Sequence, residues 1–192
     1  MNIGIYIYDD AEVLDFSGPF EVFSTAKRVG GMDWDVFFVG ETGSVVKARG
    51  NFLVSPHYTI AHHPQLDVLM VVGGIHTREV GNAAVIDWIS TVAASAKWVV
   101  SVCTGAFLLA QAGLLNGLDV TTHWEDIPDL RSRYPKLNVV DNQRWVAEGR
   151  FITSAGISAG IDMSLFLVAK MASQELAEKT ARQMEYNWVK NG

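Results

Sequence analysis

Apolar positions along the chain follow two alternating patterns. Short, near-continuous apolar runs, typical of strands covered on both faces, alternate with stretches where apolar residues recur every three to four positions, as on one face of a helix. Residues 3–8 read as a first strand, rich in Ile and Tyr. Ser17-Gly18-Pro19 then offers a capping hydroxyl and an early proline, and Phe20, Val22, Phe23 and Ala26 follow at helical spacing. Residues 34–39 form a second strand closed by Gly40, and residues 45–60 read as short strands or a hairpin of undetermined register. The run 67–72 is a core strand that stops at Gly73-Gly74, and Asn82 can cap a helix through about residue 96. Residues 98–102 predict another buried strand, 104–112 a helix ended by Gly113, and 118–122 a further strand. A short helix over 126–134 and a hairpin of 144–146 with 151–153 follow, then two closing helices over 157–171 and 175–189. This alternation predicts an α/β fold, a mostly parallel sheet with helices on both faces, in one domain over residues 1–192.

Composition narrows the classes of function. Of 192 residues, 49 % are hydrophobic and 19 % charged, which excludes a disordered chain and supplies a full core. The net charge is -6 and the basic residues are scattered, so a nucleic-acid partner is not expected. No apolar stretch reaches the ~18 residues of a membrane span, and the first residues do not resemble a signal peptide. A single cysteine, Cys103, rules out an internal disulfide. A soluble protein of the cytoplasm, away from membranes, is the expectation.

The richest stretch for chemistry is WVVSVCTGAFLLAQAGLL, where a strand reaches Cys103 and turns through Thr104-Gly105 into a helix. Ligands of open α/β sheets bind beyond the carboxyl ends of strands, and this turn resembles a nucleophile elbow. A thiol at a helix start is expected to have its pKa lowered from ~8.5 by the helix dipole and free N–H groups. The competing reading is a core cysteine. Gly73-Gly74 ends a neighbouring strand, and there the amides of Gly74 and Ile75 can serve as oxyanion donors with those of Thr104 and Gly105, or the pair is merely a turn. Asp15, between Leu14 and Phe16, is either a carboxyl of raised pKa fit for proton transfer or a cap for the turn that follows. His123 is placed at the same sheet edge as Cys103, in a catalytic or a structural role, and His76 at the mouth of the site. His57, His62 and His63 fall in a polar connection, and no spacing suggests a metal site. Phe16, Phe20, Phe107 and Trp124 suit an apolar pocket or the core equally well. Residues 153–170 are a Gly/Ser-rich turn leading into a helix; such turns can bind anions through their N–H groups, but nucleotide-binding spacing is lacking, so close helix–sheet packing with an occasional pocket contact is expected.

Taken in order, LDFSGPFEVF, VVGG, SVCTGAFLLAQAGLLNG, TTHW and SAGISAGIDM resemble the DJ-1/PfpI superfamily over nearly the whole chain. Within it the chain is most similar to isocyanide (isonitrile) hydratases and to the amidotransferase-like domain of AraC-type regulators. The resemblance implies a flavodoxin-like three-layer sandwich, usually homodimeric, with Cys103 as nucleophile and Asp15 as its acidic partner. Asp15 stands where many relatives carry Glu, a hydratase-like feature. Thr104 stands where protease-like members carry His, which counts against peptidase activity. No histidine follows His123, so the amidotransferase triad is lacking, and no helix-turn-helix follows the last predicted helix. The implied activity is hydration of an isocyanide, a small electrophile, to an N-substituted formamide through a covalent thioimidate, with no metal or organic cofactor. Turnover of α-oxoaldehydes, or ligand or redox sensing through Cys103, are the alternatives.

Overall fold

The computed structural model describes residues 1–190. Strand β1 (Asn2–Tyr6) leads into helix α1 (Val13–Gly30) and strand β2 (Asp35–Gly40). A hairpin of β3 (Val46–Ala48) and β4 (Phe52–Val54) and a short β5 (Tyr58–Thr59) precede β6 (Val68–Val71). Helices α2 (Thr77–Val80) and α3 (Ala83–Ser95) lead to β7 (Trp98–Val102) and α4 (Gly105–Gln111). Strand β8 (Asp119–Val120), helix α5 (Ile127–Arg133) and strand β9 (Asn138–Val139) come next. The hairpin β10 (Trp145–Glu148) and β11 (Phe151–Ser154) and helices α6 (Ala159–Met171) and α7 (Gln174–Gln183) complete the order.

The central sheet has seven strands in the order β10-β11-β7-β6-β1-β2-β5, all parallel except the edge pair β10–β11. Its inner strands are mostly apolar because helices cover both faces: Ile3, Ile5, Val68, Leu69, Met70, Val99 and Val100 are all buried. Helices α1, α6 and α7 pack together on one face, and α2, α3 and α4 on the other. This is the flavodoxin-like α/β arrangement.

The register brings the strands to a common edge. Tyr6 lies opposite Val71, Val71 opposite Ser101, and Val102 opposite Ser154. The exits of β1, β6, β7 and β11 therefore form one contiguous row, the carboxyl edge where such sheets place ligands.

Three local expectations are corrected and a fourth is given its register. Helix α1 begins at Val13, not after Ser17: Glu12 holds the cap position, the Ser17 hydroxyl donates to the Val13 carbonyl, and Pro19 lies inside the helix. The proline costs the Asp15 carbonyl its helical N–H partner, but the buried face of Phe16, Val22, Phe23 and Ala26 carries the helix through. The strand expected over 118–122 shrinks to β8, which pairs only with β9, outside the main sheet. The last helix ends at Gln183, because Tyr186, Trp188 and Val189 turn back onto Asp162 of α6. Residues 45–60 resolve into the β3–β4 hairpin, with two consecutive positive-φ residues, Gly50 and Asn51, and the edge strand β5.

Candidate active site

Cys103 occupies a left-handed backbone conformation at φ 55° between β7 and α4. Only a few per cent of residues other than glycine adopt positive φ, and such strain collects at functional sites where the surroundings enforce it. Here the enforcing bonds are explicit. The Cys103 amide donates to the Ser154 carbonyl at 3.1 Å, and its own carbonyl accepts from the Thr122 hydroxyl at 2.8 Å. Behind the turn, backbone packs on backbone. A Cβ at position 105 would fall 2.1 Å from the Val71 oxygen, and one at position 73 would fall 2.6 Å from the Thr104 nitrogen. Glycine is required at both positions, and the diglycine turn lies directly against the elbow.

Asp15 sits in the first turn of α1 with no exposed surface. Its Oδ2 accepts from the Gly73 amide at 3.1 Å and its Oδ1 from the Ile157 amide at 3.2 Å. Ile157 is itself at φ 58°, a β-branched residue in a conformation it rarely adopts. The Cys103 thiol also lies within hydrogen-bonding reach of the carboxyl. Burial lifts the Asp15 pKa to about 7 against the pull of its two amide donors, with the Glu12 charge adding to the rise. Of the two readings open in the sequence, a cap and a buried carboxyl, the second describes this residue.

The thiol pKa moves opposite to expectation. Burial, and next the charge of Asp15, push it well above the ordinary thiol value, and the Thr104 amide only partly offsets them. Helix α4 has seven residues, and its dipole cannot outweigh a carboxylate in a desolvated site. Thiol and carboxyl thus hold protons jointly, and a thiolate forms most readily when Asp15 carries the proton.

The expected oxyanion donors are also revised. The Gly74 amide donates to Thr104 Oγ1 at 2.9 Å, and that hydroxyl donates back to the Gly74 carbonyl at 3.0 Å. The Ile75 amide donates to the Asp10 carbonyl at 3.1 Å. Both N–H groups are taken up by protein acceptors on neighbouring segments, so Gly74 and Ile75 contribute wall rather than free donors.

A cavity of about 300 Å³ opens above the thiol, lined by Gly74, Ile75, His76, Cys103, Thr104 and His123, with Glu12, Arg49, Asp126 and Ile157 at its rim. His123 lies over Gly156, its Nδ1 3.3 Å from Asp126 Oδ2. His76 packs on Phe107 and has its pKa lowered, chiefly by burial, so its ring stays neutral near pH 7. The aromatic expectation divides: Phe16 and Phe107 are fully buried, Phe20 packs on Phe38, and Trp124 is 74 % exposed beside the site. His57 and His63 accept hydrogen bonds from the Phe38 amide and the Trp88 indole. Among the described residues, no group of three or more His, Cys, Asp or Glu could hold a metal ion, and no helix is long and apolar enough to cross a membrane.

Sequence reasoning missed Glu12, Arg49, Asp126 and Ile157 as parts of the cavity. Arg49 reaches Glu12 at 3.3 Å from a hairpin whose register the sequence did not reveal. The Gly/Ser-rich turn carried the signal of N–H groups able to bind an anion, and the Ile157 amide on the Asp15 carboxyl is such a contact.

An open parallel sandwich with a strained cysteine at its carboxyl edge and a buried carboxyl beside it defines the class of protein. The DJ-1/PfpI family profile matches residues 1–170, and the chain belongs to that family. It is 33 % identical over 187 residues to an isonitrile hydratase of Pseudomonas putida, covering 97 % of this chain and 78 % of the relative. It is 24 % identical to the HTH-type transcriptional regulator GbdR of Pseudomonas aeruginosa, covering 99 % of this chain and 52 % of the regulator, so the chain spans about half the length of that protein. Among solved structures, a ThiJ/PfpI family protein from Pseudomonas syringae superimposes with TM-score 0.87 at 27 % identity, over 100 % of this chain and 77 % of that one. Drosophila melanogaster DJ-1beta superimposes with TM-score 0.85 at 20 % identity, over 97 % and 98 % of the two chains.

Proposed function

We propose that this protein is a cysteine-dependent hydratase that adds water to an isocyanide and releases an N-substituted formamide. The observation that carries the reading is the buried pair of a strained thiol and a carboxyl whose pKa of about 7 lets it give and take a proton near neutrality. The similarity to an isonitrile hydratase supports the same substrate class. In the first step Cys103 Sγ bonds to the terminal carbon of the isocyanide, and the thiol proton passes through Asp15 to that same carbon. The product is a thioimidate, R–N=CH–S–Cys103. Asp15 then takes a proton from water as its oxygen adds to the carbon, and delivers it to nitrogen. Collapse of the tetrahedral adduct breaks the C–S bond, yields R–NH–CHO and returns a proton to sulfur. The sequence of steps balances as one isocyanide plus one water, and it calls for no metal or organic cofactor. Thr104, whose amide reaches the Cys103 sulfur and which lines the cavity, borders the carbon where charge changes. We place the enzyme in the cytoplasm as a homodimer, in keeping with its family resemblance.

The test follows formamide formation from a simple aryl isocyanide by the purified protein and by Cys103→Ala. Turnover by the wild type that falls to background in the variant is the expected result. Equal rates in both would overturn the assignment. The His123–Asp126 pair at the cavity wall favours a second reading, proton transfer during turnover of an α-oxoaldehyde. Lactate formation from methylglyoxal, without isocyanide turnover, would decide for it.

A further inference from the structure

Tyr8 lies two residues beyond β1, 4 % exposed, and contributes no wall to the catalytic cavity. Its ring is stacked on Tyr6 at 5.9 Å between centroids, and the Tyr6 hydroxyl donates to the buried Glu79 carboxylate at 2.6 Å, so the Tyr8 ring rests on an anchored neighbour. The Tyr8 hydroxyl donates to the Val72 carbonyl at 3.3 Å and lies within hydrogen-bonding reach of the Thr104 side chain. Three consecutive residues at the exit of β6 are thereby each held by a different side chain. Tyr8 holds the Val72 carbonyl, Asp15 receives the Gly73 amide, and Thr104 grips Gly74 at both its amide and its carbonyl.

We propose that Tyr8 is a positioning residue for the Cys103–Asp15 pair, acting through the Val72 carbonyl and Thr104 to fix the diglycine turn against the elbow. The turn supplies the Gly73 amide to Asp15, and Thr104 supplies its amide to the Cys103 sulfur. Both donors favour the ionised forms of the groups they touch. Loosening them raises the proton affinity of carboxyl and thiol alike.

The proposal rests on Cys103 being the reactive group, and its test needs no turnover. Cys103 is the sole cysteine, so its alkylation by iodoacetamide, followed against pH by mass spectrometry, reads the pair directly. Tyr8→Phe should move the alkylation profile up by about one pH unit and slow the reaction about tenfold at pH 7, the loss expected when a buried neutral hydrogen bond of about 1.4 kcal/mol ceases to be transmitted. Thr104→Val should move it in the same direction, and the double variant should do no more than the larger single change. If Tyr8→Phe does not fold, 4-fluorophenylalanine at position 8 keeps the ring and its para bulk but cannot donate. An unmoved profile in the position-8 variant, or strictly additive shifts in the double variant, would overturn the proposal. If the wild type also turns over isocyanide, Tyr8→Phe should lower kcat and leave KM unchanged. Absence of turnover in the wild type would count against the hydratase reading and leave the alkylation result standing.

Discussion

Asp15 illustrates how much one buried carboxyl can control. In the unfolded chain it titrates near 3.8, and in the folded protein near 7. The folded state therefore binds the proton more tightly, so the contribution of Asp15 to stability is fully present below about pH 4 and is lost as pH rises through 7. The difference corresponds to stability on the order of 4 kcal/mol, at 1.36 kcal/mol per pKa unit. Asp15→Asn removes this titration. Urea denaturation of wild type and variant between pH 4 and 8 should show the wild type losing stability relative to the variant across that window, with no further divergence above it. On the proposed hydratase mechanism, the same variant lowers isocyanide turnover by about two to four orders of magnitude, the usual share of a general acid–base. It should also move Cys103 alkylation to lower pH, because the neighbouring negative charge is gone.

At the scale of elements, the elbow depends on β6, β7 and α4 approaching more closely than any side chain at position 105 allows. Gly105→Ala should destabilise the fold by about 3 kcal/mol or more, since the added methyl meets a backbone oxygen that cannot swing away. A loss below about 1 kcal/mol in chemical denaturation would show that the helix start can retreat. The elements that make this junction were also the most legible in the sequence. The strand over 98–102 is β7 itself, and the diglycine stop after β6 falls where it was read, because buried parallel strands leave continuous apolar runs. The start of α1 was not legible. Ser17-Gly18-Pro19 has the local form of a helix start, but burial of Asp15 and Phe16 draws the helix back to Val13. The β3–β4 hairpin was unplaceable for a related reason: β3 buries Val46 and Ala48, but in β4 the apolar Phe52 and Leu53 are both exposed, so the second strand carries no alternating pattern to set the register. Cys103 and Asp15 drew notice by their neighbours in sequence, whereas Arg49, Ile157 and Tyr8 reach the site only through long-range packing that local pattern does not encode.

Across the molecule, the segment after α7 is tied to the sandwich by one buried charge. Asp162, with no exposed surface, accepts from Arg144 Nε at 2.6 Å, from the Tyr186 hydroxyl at 3.2 Å and from the Val189 amide at 2.8 Å, and it forms an ion pair with the Arg144 guanidinium. Breaking such a pair on one side leaves an uncompensated charge and costs about 3–5 kcal/mol. Arg144→Met should lower stability by about that amount, and amide exchange at Val189 should accelerate well before the sheet opens. A thermal midpoint unchanged by the substitution would mean that tyrosine and backbone donors suffice.

The partners that bend Cys103 come from far along the polypeptide: the Ser154 carbonyl receives its amide, and the Ile157 amide holds the aspartate beside it. A ribosome releases the chain from its amino end. During synthesis the thiol therefore emerges some fifty residues ahead of the groups that confine it. For that interval the Ser154 carbonyl and the Ile157 amide are missing from its surroundings. The bend at Cys103 and the Ile157 hydrogen bond to Asp15 are therefore complete only once the hairpin of β10 and β11 and the turn at Ile157 are in place.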